Sequence, residues 1–116
     1  MTMTPEKFQE IAAARLRACR ERLAEKNEEY ARENNPLHNF HAAAAMNNCT
    51  PEEALWGMAA KHIISVRDMV FDRQQGIFPS PEMLSEKIGD AINYLILLEA
   101  VMEESRLSAA DQHARG

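Results

Sequence analysis

The sequence is poor in the residues that break or cross-link a chain. Four glycines and five prolines among 116 residues exclude collagen-like and low-complexity classes. Two cysteines cannot build a disulfide scaffold, so a reducing cytoplasm is the expected setting. No apolar run approaches the roughly 20 residues a membrane helix needs, and the opening stretch from Met1 to Glu6 lacks the apolar core of a signal peptide. A formal charge of -5 argues against non-specific nucleic-acid binding, yet it leaves room for a basic pocket that takes a small anion. Phosphate-binding glycine loops are absent, and no Gly-flanked serine forms a nucleophile elbow. What is present is 46% hydrophobic and 27% charged residues. That is enough for one domain with a core, placed at residues 1–106, followed by a polar tail at 107–116 that is expected to fray.

Three helix-start signals of one kind divide the chain: Thr4-Pro5-Glu6, Thr50-Pro51-Glu52 and Ser80-Pro81-Glu82. In each, a hydroxyl can cap free amides, Pro stands where no N–H is needed, and Glu meets the positive end of the helix dipole. Thr50 with Glu53 completes a capping box. Three long helices follow, near 5–34, 51–71 and 81–105. A shorter one near 39–47 is favoured by the run Ala42 to Ala45. The fold expected is an all-α bundle.

Helical spacing predicts which faces are buried. The first helix offers Phe8, Ala12, Cys19, Leu23 and Tyr30; the second, Leu55, Ala59, Ile63, Val66 and Val70. The third offers Leu84, Ile88, Ala91, Leu95, Leu98 and Met102, and a second apolar strip of Met83, Tyr94, Leu97 and Val101. A helix apolar on most sides must be covered on most sides. Either the Ala-rich helix covers the second strip, or the bundle is completed by self-association as a homo-oligomer.

Polar residues interrupt these strips. Asp90 lies in the second one, where a carboxylate needs a partner; Lys61 or Lys26 could pair with it, or a metal could bind it. Lys26, Asn27 and Tyr30 continue the buried stripe of the first helix, with Glu28 and Glu29 beside them. The loop from Asn34 to His41 offers amides for a base edge and Phe40 for stacking, or else an ordinary turn with Asn39 as N-cap. Lys61 shares a polar flank with Ser65 and Asp68, while His62 points to the apolar side as a core histidine. The spacing of His38, His41, His62 and Cys49 matches no zinc site.

Several of these blocks together resemble the nucleotide modification associated domain 1 family, found in phages and prophages. They are Lys26 to Tyr30, Asn35 to Phe40, Thr50 to Leu55, Ala60-Lys61 and Glu86 to Tyr94, within a likeness running from about Glu21 to Glu104. The resemblance extends distantly to the MazG-like all-α NTP pyrophosphohydrolases, whose helix carboxylates hold Mg²⁺. It implies a cytoplasmic nucleotide-handling protein. Lys26 and Lys61 would meet phosphates, Asn27 and Asn39 would read base or sugar, and Tyr30, Phe40 or Tyr94 would stack. If the chain is an enzyme, Asp90 and Glu86, with Glu29 or Glu28, would hold Mg²⁺. The pattern departs from the MazG-like one at Lys87, which replaces a carboxylate, and along Ala60 to Ile64, where the acidic motif has no counterpart. The alternative is a non-enzymatic binder that sequesters a nucleotide signal or covers a host protein.

Overall fold

The computed structural model describes residues 2–30 and 35–115, apart from the side chains of Glu29 and Tyr30. It is an all-α bundle of α1 (Pro5–Tyr30), α2 (His38–Asn47), α3 (Pro51–Asp72) and α4 (Pro81–Arg115). The expected caps start three of the helices. Thr4 Oγ1 accepts from the Lys7 amide at 3.1 Å, and Ser80 Oγ accepts from the Met83 amide at 3.1 Å. Thr50 and Glu53 exchange the two bonds of a capping box. Left-handed residues end the next segments, Asn48 after α2 (φ 52°) and Gly76 after the 3₁₀ turn Arg73–Gln75 (φ 74°).

α4 is the central element. α3 and α1 both pack against it, and α2 lies on α3. The main core unites Leu37, Phe40, Leu55, Ala59 and Val101, with Tyr94 and Leu97 packed on it. Leu55 and Val101 are fully buried, and each such side chain contributes about 1.5–3 kcal/mol. α2 therefore covers the Val101 end of the second strip through Phe40, and a hydrogen bond between His41 and Glu104 ties the same helices together.

The other strip of α4 corrects the expected burial. Leu84, Leu95 and Met102 are exposed, while Gly89, Asn93 and Val101 are the buried positions. Successive residues of a helix differ by about 100°, which places the Leu84–Leu95–Met102 line opposite the faces that meet α1 and α3. Phe8 is exposed as well. Arg15 lies beside Ser85 and Arg22 shares a cavity wall with Asp90, so α1 runs in the same direction as α4 and its first turns precede the start of α4. Val70, expected inside, lies exposed near the end of α3. α4 continues as helix through 107–115, past its expected end near Ser105. The expected break at Asn34 falls outside the described residues.

Candidate functional site

One cavity of about 820 Å³ opens where the end of α1, the start of α2 and the middles of α3 and α4 meet. The preceding turn sets its loop wall. Asn35 Oδ1 accepts from the Leu37 amide at 3.0 Å, and buried Leu37 anchors the turn. This brings Asn39 and Phe40 to the cavity from the first turn of α2. Asn39 lies inside that helix rather than capping it.

The chemistry of the lining falls into three groups. Phe40, Met58, Leu97 and the Tyr94 ring form an apolar wall. Arg22 and Lys26 from α1 and Lys61 from α3 supply positive charge. Asn27, Asn39 and Asn93 supply carboxamides. Asn93 is only 7% exposed, and among the described residues its Oδ1 has no hydrogen-bond partner. A buried acceptor left unpaired costs about 1–3 kcal/mol.

Asp90 also lines the cavity, and the described partner of its carboxylate is neither Lys26 nor Lys61 but His62, with Nδ1 3.6 Å from Oδ2. The His62 ring stacks on Tyr94 with centroids 4.6 Å apart and planes inclined by 23°. His62 is thus a wall residue of the cavity rather than a plain core histidine.

A smaller cavity of about 300 Å³ adjoins the first and shares Arg22, Asp90 and Asn93 with it. Arg15 donates to the carbonyl and hydroxyl oxygens of Ser85 at 2.9 and 3.0 Å. Gly89 makes that approach feasible, because a Cβ there would stand 2.7 Å from Arg15 Nη1.

The structure therefore brings Lys26, Asn27, Asn39, Phe40, Lys61, Tyr94 and Asp90 to one cavity. Glu86 lines the smaller cavity, and Lys87 and Glu28 line neither. The side chains of Tyr30 and Glu29 lie outside the described residues. Among the described residues no three His, Cys, Asp or Glu side chains cluster as a metal ion requires. Glu86 and Asp90 stand one helical turn apart on α4, and Glu29, another carboxylate of the set that the resemblance implies, has its side chain outside the described residues.

Sequence reasoning missed Arg22, Asn93 and His62 as cavity residues. Two signals were available: Arg22 stands one turn before Lys26, and Asn93 one turn after Gly89, the glycine of the Asp90 motif. The His62–Asp90 contact joins different helices and has no local signature. Comparison of the chain with protein-family models, with curated proteins and with solved structures gives no match. No helix among the described residues is long and apolar enough to cross a membrane.

Proposed function

We propose that this chain binds a nucleoside phosphate in the larger cavity. The observation that carries the reading is the convergence of three cations, three carboxamides and an apolar aromatic wall on one space of about 820 Å³. That volume lies within the usual range for small-molecule sites, and such a lining is how they divide the work. The base packs on the wall formed by Phe40 and Tyr94, and Asn27 and Asn39 address its edge or the sugar. The phosphates lie toward Arg22, Lys26 and Lys61, whose charges attract them at point-charge or bidentate geometry.

The blocks that resemble the nucleotide modification associated domain 1 family supply much of this lining, which is why the ligand is read as a nucleotide rather than as another anion. The reading stops at binding because the described carboxylates do not assemble a Mg²⁺ set. Phosphate recognition by lysine and arginine requires no divalent ion. Calorimetric titration in EDTA is the test. Nucleoside triphosphates should bind, the parent nucleosides should bind at least about 10-fold more weakly, and added salt should weaken the triphosphate selectively. Equal affinity for nucleoside and triphosphate would remove the phosphate assignment. Binding that requires Mg²⁺, with pyrophosphate released, would make the chain a pyrophosphohydrolase instead.

A further inference from the structure

We infer, resting on the nucleoside phosphate reading, that the smaller cavity takes the hydroxyl edge of the ligand's sugar and makes the chain selective for ribonucleotides over 2′-deoxyribonucleotides. Asn93, which lines both cavities, is the residue that sets the preference.

The lining of the smaller cavity selects against net charge. It holds two guanidiniums, Arg15 and Arg22, and two carboxylates, Glu86 and Asp90, together with Ser85 and Asn93. These charges cancel, so a phosphate gains nothing by leaving the larger cavity, where Arg22, Lys26 and Lys61 stand against Asp90 alone. Among the described residues no aromatic ring lines the smaller cavity, so a base finds no ring there to stack on. What this wall offers is donor-only guanidiniums beside acceptor-only carboxylates. A sugar hydroxyl both donates and accepts, and two adjacent hydroxyls can bridge the two kinds of group.

Asn93 supplies the independent sign of a ligand. It is only 7% exposed, and its Oδ1 has no partner among the described residues. A half-turn of the carboxamide exchanges its acceptor for its donors. A hydroxyl matches either arrangement, whereas a base carbonyl or amine matches only one. The connectivity of a nucleotide agrees with this placement. With the base on Phe40 and Tyr94 and the phosphates toward Arg22 and Lys26, the 2′- and 3′-hydroxyls are the edge left free. Asn93 directly precedes Tyr94, and Arg22 belongs to both cavities, so that edge meets the smaller one. Its volume of about 300 Å³ is at the lower end of the range for ligand sites. It has room for one edge of a molecule seated next door rather than for a second nucleotide.

Calorimetric titration of the whole chain in EDTA, with ATP, GTP, CTP and UTP each set against its 2′-deoxy counterpart, tests this. The triphosphate of highest affinity should bind at least about 10-fold more tightly than its deoxy form, because a site that bonds a hydroxyl is left with unpaired polar groups when the hydroxyl is missing. Asn93→Leu should bring that ratio close to one. Gly89→Ala is measured alongside it, since alanine favours the helix and its Cβ would stand 2.7 Å from Arg15 Nη1, pushing that head group aside. It should lower the ratio several-fold. Equal wild-type affinity for the two sugars, or a preference for the deoxy form, would overturn the inference and leave the nucleotide reading standing. A ribose preference that survives in both folded variants would also overturn it, since another wall would then read the sugar. Failure of every triphosphate to bind would remove the nucleotide reading itself, and the inference with it.

Discussion

His62 Nδ1 on α3 lies 3.6 Å from Asp90 Oδ2 on α4, and the same imidazole stacks on Tyr94, one turn beyond Asp90. The carboxylate thus lies beside a ring that forms part of the cavity wall. At 3.6 Å the two groups are beyond hydrogen-bond distance, and their side chains are 19% and 30% accessible, so the contact is worth at most about 1 kcal/mol to the fold. Asp90→Asn should therefore keep the fold and shift the Tm by only a few degrees. It should weaken nucleoside triphosphate binding several-fold by releasing the His62–Tyr94 stack. Circular dichroism melting and calorimetry on the same sample check both halves, and loss of the fold would mark Asp90 as structural only.

Asn93 gives a prediction of opposite sign for stability and binding. Its unpaired buried Oδ1 lowers stability and is retained, on this reading, for a donor on the ligand. Asn93→Leu keeps the branching and the number of side-chain heavy atoms and removes the orphan acceptor. It should stabilise the chain by about 1–2 kcal/mol, read as a higher denaturant midpoint, and weaken nucleotide binding at least about 10-fold. A variant less stable than wild type would mean that the carboxamide contributes to the core.

Local and tertiary features differed in how far the sequence reveals them. The caps at Thr4, Thr50 and Ser80 were legible because their bonds join residues three apart. Lys26, Asn27, Asn39 and Asp90 were legible as candidates because each is a polar residue in an apolar stripe or in the loop before α2, and Lys61, on a polar flank, through the resemblance; the structure gathers them at one cavity. The face of α4 that turns inward was not legible. Both faces are apolar, and periodicity cannot say which one meets its own chain. The exposure of Phe8 depends on the offset between α1 and α4, and His62 depends on its Asp90 partner; neither relation is local.

The capping box gives a pH dependence. The Thr50 backbone N–H, then its hydroxyl, hold the Glu53 carboxyl below its ordinary value of 4.5. A depressed folded value means that the contribution is fully present above the ordinary value and is lost as pH falls through the folded one. Glu53→Gln should therefore melt below wild type at neutral pH, with the gap closing in acid, as pH falls below the ordinary 4.5 and through the lowered folded value. Thr50→Ala removes the cap itself and should cost about 1 kcal/mol at neutral pH, with the part that comes from the hydroxyl's bond to the Glu53 carboxylate lost in acid. A Glu53→Gln gap that persists in acid would mean that charge is not its source.

The most direct test of the central claim, that a nucleoside phosphate sits among the ends of α1 and α2 and the middles of α3 and α4, is amide chemical-shift mapping of the labelled chain during titration with a nucleoside triphosphate. The largest shifts should fall at Lys26, Asn27, Asn39, Phe40, Lys61, Asn93 and Tyr94, the residues that line the cavity, with the polar end of α4 beyond Arg106 silent. Saturating shifts confined to another surface, or no shifts at millimolar ligand, would contradict it.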